Sequence, residues 1–391
     1  MLIGYFVVVS LAGLAYHMYS PYWSTYLYIS GIHVAMVVLL SVIRQVSLGV
    51  LRIPAGLLSD KYGRRTLYIV GLVFSALELL LLLLLSNNMT LLILAFTIMG
   101  CGEAFRLSSL EAWIADECKK RGSSDLLPQV VGKANALFDA IGVVCGVVGG
   151  LLSVYHILLP IIISLIASLI AIPIALFLPE NYGVKSSTLT IIKNASSYIL
   201  SSKLLQFYML GCILFLSTFE FFISTWTKIV LNIGLSKERV GFLYSILIAS
   251  CSIGGFVFSL LAKRFNYKTI GIVTLPLSAT SFLIIGLSSD LFIVLIGLIF
   301  FEFSLNIIMS YLITLRNELV NSSYRATMIS LIGTAGMLFT ELVVSALGLL
   351  SAFVSISTVY LICAVLIVLS IPLLRGISLD RFAASPPSPK L

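Results

Sequence analysis

Charged residues are scarce in this sequence, because only 10% of its 391 residues are Asp, Glu, Lys or Arg. Soluble domains carry about 25% charged residues. Hydrophobic residues make up 60% of the chain, and the mean hydropathy is +1.12. A chain of this composition meets lipid rather than water over most of its surface, so a soluble globular protein is excluded.

Signatures of catalytic and metal chemistry are also missing. The six cysteines show no paired spacing and most lie in apolar runs, which favours neither a disulfide framework nor a zinc site. The sequence has no G-x-x-x-x-G-K-[ST] motif, so ATP drive within this chain is not expected. With no nucleophile–base constellation either, we expect a protein that is not an enzyme and has no cofactor.

Two further classes are disfavoured by the distribution of charge. The net charge is +8, but the basic residues lie in short segments between apolar runs, a pattern of membrane topology rather than of nucleic-acid binding. The N-terminus has no basic region or small-residue cleavage site. Its long apolar run predicts a first membrane helix rather than a signal peptide.

Twelve apolar runs are long enough to cross a bilayer, which takes about 20 residues each. The sequence therefore predicts an all-α integral membrane protein with twelve transmembrane helices. The runs cover residues 3–28, 34–58, 66–86, 90–114, 131–153, 157–178, 205–229, 239–262, 269–288, 290–314, 326–348 and 352–374.

Basic residues give this layout an orientation. With both termini in the cytoplasm, 18 of the 24 Lys and Arg residues fall in inner segments and three in outer ones. This asymmetry is typical of membrane proteins, whose inner loops are basic. We expect a multi-pass protein of the cell (plasma) membrane with both termini cytoplasmic.

Polar segments divide the chain. The longest polar interruption, residues 180–204, separates six runs from six. We expect an N-terminal half over 1–179, a cytoplasmic linker over 180–204 and a C-terminal half over 205–375. The polar, Pro-rich segment 376–391 is predicted to be a disordered cytoplasmic tail.

The most charged short segment is GLLSDKYGRRTL, residues 56–67. Its ionic side chains cannot lie in hydrocarbon, so they mark a tight turn at the membrane surface. Gly56 is expected to allow close helix approach and Gly63 a sharp reversal. The four ionic residues are Asp60, Lys61, Arg64 and Arg65.

This turn resembles the signature G-x-L-x-D-K-x-G-R-R, which the major facilitator superfamily of secondary transporters carries between its second and third membrane helices. Three shorter stretches resemble the same family: EAWIAD (111–116), LPENYG (178–183) and YRATMISL (324–331). AKRFNYKT (262–269) is a weaker echo of the signature in the second half. The resemblance implies two six-helix halves that rock about a substrate site near the midplane.

The resemblance also implies a gating role for the turn. In the family, a cytoplasmic charge network closes the inner side in the outward-open state, and Asp60, Arg64 and Asp116 match it. These residues would act without contacting the transported solute. The predicted gating set comprises Gly56, Asp60, Gly63, Arg64, Arg65 and Asp116.

Ionisable side chains at membrane depth are costly and are candidates for function. In the family fold, spans 1, 4, 7 and 10 line the central cavity, and each carries such a group near its middle. The predicted substrate- and proton-binding residues are His17, Arg44, Glu103, Arg106, Asp139, Glu220 and Glu302.

Within this set, Glu103 and Arg106 share a helix face and are expected to pair. Such a pair either switches as a proton binds or is a static buried pair. Glu220 and Glu302 suit proton carriers, and each has a plain packing or polar-lining role as its alternative. Arg44 and Asp139 flank the cavity, where either would neutralise a partner across the first half.

Other polar residues are given structural roles. Glu78 and Glu341 are expected to be structural or vestibule residues, and Arg52 and Glu111 to support the signature turn. His17 lies in an aromatic stretch, half of which is expected in an interfacial belt near the outer surface. The tyrosines of that stretch are Tyr16, Tyr19 and Tyr22.

We therefore expect a secondary transporter that moves a small organic solute by alternating access, with protons as the coupling ion and the lipid bilayer as its surroundings. GVVCGVVGG (142–150) is similar to a glycine-rich antiporter motif and favours export, although close helix packing explains it as well. Proton symport of an organic anion or sugar is the alternative. A non-transporting membrane sensor is a more distant one. A monomer is expected, with no nucleic-acid partner.

Overall fold

A computed structural model describes residues 2–85, 88–120, 122, 124–183, 198–320 and 325–378. Twelve long α-helices fill these ranges, and a short 3₁₀ turn precedes the fifth. The helices are α1 (Leu2–Ile29), α2 (Val34–Tyr62), α3 (Arg64–Leu85), α4 (Met89–Lys120), α5 (Leu127–Tyr155), α6 (Leu159–Leu176), α7 (Lys203–Asn232), α8 (Lys237–Leu261), α9 (Tyr267–Leu287), α10 (Leu291–Leu319), α11 (Arg325–Leu350) and α12 (Ile356–Ser378).

All twelve helices are long and apolar enough to cross a membrane, so the predicted all-α membrane architecture is confirmed. Four helices run at least four residues past the C-terminal ends of the predicted apolar runs. Helices α2, α4, α10 and α12 continue to Tyr62, Lys120, Leu319 and Ser378 instead of ending near 58, 114, 314 and 374. Hydropathy marks only the hydrocarbon-embedded part, whereas a helix with charged side chains continues into the aqueous layer beyond it.

The helices pack as two groups of six. In the first group α4 lies between α2 and α3, and α1 packs on α5 and α6. In the second group α9 packs on α10 and α12, and α7 packs on α11 and α12. The groups meet where α2 contacts α11, α5 contacts α8 and α1 contacts α7. Most of the expected linker (184–197) and most of the expected tail (379–391) lie outside the described residues.

The two halves are hydrogen-bonded to each other at one end of the molecule. We call the end that carries the Gly63 turn the turn side and the opposite end the far side. On the far side, the hydroxyls of Ser24 and Thr227 lie 2.9 Å apart, and the Tyr28 hydroxyl donates to the Ser224 carbonyl at 2.7 Å. These contacts join the last turns of α1 to those of α7.

Helices α5 and α8 approach closely because α5 carries small residues at their contact. A Cβ atom at Gly146 would overlap the Ser245 hydroxyl and the Gly241 carbonyl. The Ser245 hydroxyl donates to the Val143 carbonyl at 2.7 Å. The glycine-rich stretch 142–150 therefore serves close packing between the halves.

Candidate functional site

A cavity of about 390 Å³ lies on the turn side of the first half, between α1, α2, α3, α4 and α5. Its wall is largely apolar and aromatic, with ionic groups at one edge. Arg44 comes from α2, and Glu103, Arg106 and Glu111 come from α4. A concave apolar site with a few converging polar groups is typical of a small-molecule binding site.

The ionic pair of this cavity joins two helices. Arg44 Nη1 lies 3.6 Å from Glu103 Oε1, and the two side chains are 14% and 11% exposed. The expected pairing of Glu103 with Arg106 is wrong, because no ion pair joins them within the described ranges. Gly100 explains the choice of partner. A Cβ atom there would overlap the Arg44 carbonyl, so α2 approaches α4 closely enough for Arg44 to reach Glu103.

Arg106 lies on the side of α4 that meets α3. Its Cγ packs 2.6 Å from the position that a Cβ atom of Gly71 would take. Its Nε is buried without a hydrogen-bond partner among the described residues. Arg106 therefore lines the cavity beside the Arg44–Glu103 pair without belonging to it.

Two carboxylates of the second half also face Arg44. Glu220 of α7 interacts electrostatically with Arg44, and its hydrogen-bond partner is the Gln45 side chain. Glu341 of α11 interacts electrostatically with Glu220 and Arg44. Carboxyl groups from three helices thus lie within electrostatic range of one guanidinium, and one of them, Glu103, forms an ion pair with it.

Glu341 is placed differently from the expectation. It was expected to be a structural or vestibule residue, but it lines a second cavity, of about 230 Å³, together with Glu220. Only 2% of Glu341 is exposed. In the sequence of α11, Ser330, Thr334 and Ser345 lie at helical spacing on the same face as Glu341, a pattern that indicates an inward-facing side of this helix.

His17 and Asp139 lie at the contact between the halves rather than in the cavities described above. The Nδ1 atom of His17 is 2.7 Å from the Tyr244 hydroxyl, and its ring packs 4.4 Å from that of Phe138. Asp139 accepts a hydrogen bond of 3.3 Å from the Ser252 hydroxyl. The expectation that Asp139 neutralises a partner within the first half is therefore wrong, because its partner belongs to α8.

Glu302 and the tyrosines of α1 complete the buried polar groups. Glu302 is half-buried, and its hydrogen-bond partner is the Cys251 thiol. Tyr19 and Tyr22 are only 4% and 0% exposed, so the expected interfacial belt is wrong for them. Tyr22 packs instead against Gly149 of α5.

Two arginines hold the signature turn, and one of them, Arg65, forms an ion pair with Glu180 at 3.5 Å. Arg64 pairs with Asp60 at 3.2 Å and with Asp116 at 2.5 Å, and it also donates to the Ala112 carbonyl. Gly63 has φ +105°, a conformation that favours glycine, so its expected role in a sharp reversal is confirmed.

Gly56 is not used as expected. Nothing lies within 4 Å of where its Cβ atom would be, so it does not serve close helix approach. It lines a turn-side cavity of about 370 Å³ with Asp60, Arg52 and Glu111. Arg52 and Glu111 are expected to support the turn, and the structure shows that they line the same cavity as Asp60.

The predicted site residues do not include Glu180. This residue lies far along the chain from α3 and caps the N-terminus of that helix. Its carboxylate accepts from the backbone N–H groups of Arg65 and Thr66 at 2.8 and 3.1 Å, and from the Thr66 hydroxyl at 2.7 Å. An anionic acceptor at a helix N-terminus satisfies its free N–H groups and its dipole. The Asn181 carbonyl accepts from the Arg64 N–H at 2.9 Å. The stretch LPENYG contains both residues, but its sequence gives no partner.

The second half carries a counterpart of the turn. Lys268, in the first turn of α9, pairs with Glu318 of α10 at 3.0 Å, and the Tyr267 hydroxyl donates to the same carboxylate. Arg64 and Asp116 join α3 to α4 in the same manner. The weak echo in residues 262–269 thus corresponds to a similar contact between helices.

Metal binding finds no support in the described part of the chain, where no group of His, Cys, Asp and Glu could hold an ion. The ionic groups above are arranged instead around cavities at the centre of a membrane protein. This fold and site define a multi-pass membrane transporter.

Comparison with known proteins identifies its family. Residues 5–340 match the Major Facilitator Superfamily, and the chain belongs to that family. An uncharacterized MFS-type transporter, YxaM of Bacillus subtilis (strain 168), is 21% identical over 390 residues, covering 93% of this chain and 92% of that protein. The chain is thus a transporter of some solute, as the resemblance implies.

Solved structures share the fold at low identity. A point mutant of the nucleoside transporter NupG superposes with a TM-score of 0.84 at 12% identity, covering 96% of this chain and 99% of that one. A bacterial homolog of the human lysosomal transporter Spinster, in an inward-facing and unoccupied conformation, gives 0.74 at 13% identity and 96% coverage of both chains. These likenesses confirm the predicted twelve-helix fold in two halves.

Proposed function

We propose that this protein is a proton-coupled secondary transporter of a small organic solute. The observation that carries the proposal is the convergence of Glu103, Glu220 and Glu341 on Arg44, at the meeting point of the halves. Ionisable groups at this depth are typical of ion and proton pathways in transporters.

The charge balance at this point provides the coupling. Three carboxyl groups share one guanidinium in a poorly hydrated site, where an excess of uncompensated charge is costly. A bound proton or a cationic solute relieves that excess. A proton on Glu103 would also release Arg44 from its partner, so protonation and solute binding are linked at one site.

Alternating access uses the contacts between the halves. The far-side hydrogen bonds of Ser24, Tyr28 and their partners close one end, and the cavities lie on the turn side. We assign the described conformation to the state that is open to the cytoplasm. Rocking of the halves would break the far-side contacts and expose the same site to the other side.

The turn network is formed in this cytoplasm-open state and lies within the first half, so its proposed role is to set the rate of the conformational cycle rather than to close the inner side. Asp60, Arg64 and Asp116 fix the end of α2 against α4, so the three segments move together. Glu180 attaches the chain after α6 to the start of α3. Neither the Asp60–Arg64–Asp116 network nor Glu180 contacts the proposed site, and both would act on the rate of the conformational cycle.

Proton antiport, and hence export, is the proposed direction. Protons and a cationic solute compete for the same carboxylates, so that one leaves as the other binds. The glycines of α5 add nothing to this direction, because packing accounts for them. Symport of an organic anion is the second candidate, favoured by Arg44 and Arg106 in one cavity wall.

The proposed setting is the plasma membrane with the turn side in the cytoplasm, and the proposed working unit is a monomer. Proteoliposomes that contain the purified protein and an internal pH-sensitive dye test the function. Drugs, nucleosides, sugars and organic acids are added one at a time. Solute-triggered proton movement supports coupling, and its sign separates antiport from symport. Silence across the panel, with folded protein, would contradict coupling and favour a sensor.

A further inference from the structure

The cavity of about 230 Å³ in the second half is bounded by α7, α10 and α11, with Arg52 of α2 at its edge. It lies across the centre of the molecule from the first-half cavity. Along their helices, Glu220 and Glu341 lie deeper from the turn side than Arg316.

The deep end holds polar atoms that lack partners. Glu341 and Thr340 are each 2% exposed, and both carboxylate oxygens and the threonine hydroxyl have no hydrogen-bond partner among the described residues. One oxygen of Glu220, which lines the same cavity, is also unpartnered. Buried polar atoms are nearly always hydrogen-bonded, so an unsatisfied cluster on a cavity wall indicates a ligand.

Among the described residues, no Lys, Arg or His forms an ion pair with Glu341. Arg44 is within electrostatic range, but its ion-pair partner is Glu103. Arg316 lines the cavity three residues before the end of α10, whereas Glu341 lies sixteen residues into α11 from the same side. At 1.5 Å per residue the two backbone positions differ in depth by roughly 20 Å.

The walls between the two ends suit an apolar, polarisable body. Met209, Met309 and Met337 contribute thioethers, Phe219 an aromatic ring and Leu216 an aliphatic side chain. Methionine side chains adapt to differently shaped ligands, and aromatic rings attract cations. The walls therefore favour an organic group rather than a hydrated metal ion.

We infer that Glu341, with Glu220 beside it, binds the ammonium group of an organic amine whose apolar body occupies this cavity. The inference deepens the proposed transport function, because it names the class of solute. An ammonium group supplies the hydrogen-bond donors that the two carboxylates and the Thr340 hydroxyl lack. It also supplies the positive charge that the deep end lacks.

Isothermal titration calorimetry of the full-length protein in detergent tests this inference. The probes are 2-phenylethylamine and its neutral analogue 2-phenylethanol, with heats of mixing into protein-free micelles subtracted. We expect the amine to bind wild type roughly tenfold more tightly than the alcohol, or better, as one charged hydrogen bond implies. Glu341→Gln should remove this preference, and Glu220→Gln should reduce it.

Glu78→Gln is the matched control, because Glu78 is also 2% exposed but does not line the cavity. Its amine affinity should equal that of wild type. Equal binding of amine and alcohol to wild type, no binding of either, or full amine affinity in folded Glu341→Gln would overturn the inference. If Glu341→Gln does not fold, the test rests on the amine preference of wild type and on Thr340→Val. This variant lacks the Thr340 hydroxyl and should bind the amine less tightly than wild type does.

The proposed transport function and this inference can fail separately. Amine binding at Glu341 without any proton movement in liposomes would leave the site in place and remove the coupling. Proton movement driven only by neutral or anionic solutes would leave the coupling in place and remove the amine site.

Discussion

The Arg44 guanidinium lies 3.6 Å from the Glu103 carboxylate and joins α2 to α4 on the wall of the first-half cavity. Two further carboxylates, Glu220 and Glu341, are within electrostatic range of the same guanidinium. Three carboxyl groups therefore share the Arg44 guanidinium, so removing Arg44 and removing Glu103 are not equivalent changes.

This imbalance predicts unequal costs of neutralising the two partners. Arg44→Gln removes the ion-pair partner of Glu103 and should lower the free energy of unfolding by about 3 kcal/mol. Glu103→Gln leaves Arg44 with two other carboxylates and should cost about 1 kcal/mol. Thermal unfolding in detergent measures both. The Arg44→Gln deficit should shrink on acidification, since protons then neutralise the carboxylates.

The control is Lys61→Gln, which removes an exposed cation on the same helix and should leave stability unchanged. Equal losses for Arg44→Gln and Glu103→Gln, or a deficit independent of pH, would show that the pair is isolated from Glu220 and Glu341.

The turn network predicts a loss of rate without a loss of folding. Asp60→Asn removes the 3.2 Å ion pair with Arg64 while keeping the size of the side chain. Solute transport should fall roughly tenfold, equivalent to about 1.4 kcal/mol in the conformational barrier. Membrane insertion, measured by yield and size-exclusion profile, should match wild type. Wild-type transport rates in this variant would rule out the gating role.

Glu180 predicts a stability effect at the start of α3. Glu180→Ala removes the acceptor of two backbone N–H groups and the Thr66 hydroxyl. Loss of such a cap costs about 1–2 kcal/mol, which lowers the unfolding temperature in detergent. Asp125→Asn, at an exposed acidic residue, is the control. An unchanged unfolding temperature in Glu180→Ala would mean that the chain after α6 does not stabilise α3.

The α5–α8 contact predicts a shift between conformations. Gly146→Ala places a methyl group against Ser245 and Gly241, so the halves can no longer approach as closely on the far side. The rate of maleimide labelling of Ser24→Cys, a buried far-side position, should rise. Gly132→Ala on the same helix meets nothing within 4 Å and should leave labelling unchanged. Identical labelling rates in the two glycine variants would contradict this packing account.

The sequence predicts the helices well because membrane crossing imposes a strong local signal. Each of the twelve apolar runs corresponds to one helix. The helix ends are predicted less well at Lys120 and Leu319, because the hydrocarbon boundary does not stop a helix. The tight reversal at Gly63 is also local, and its positive φ follows from the residue type.

Contacts between helices are where the sequence reasoning fails. Glu103 has a possible partner three residues away in Arg106, yet its actual partner is Arg44, 59 positions earlier in the chain. That choice depends on how closely α2 approaches α4 at Gly100. For Glu341, in contrast, the sequence holds a local signal, because Ser330, Thr334 and Ser345 share its face of α11 at helical spacing.

The most direct test of proton coupling is the number of protons moved per solute in wild type and Glu103→Gln. Both are reconstituted in the same liposomes, with labelled solute and a pH-sensitive dye followed together. The account predicts a fixed ratio in wild type and solute movement with little or no proton movement in Glu103→Gln. An unchanged ratio in Glu103→Gln would contradict the assignment of the coupled proton to the Arg44–Glu103 site.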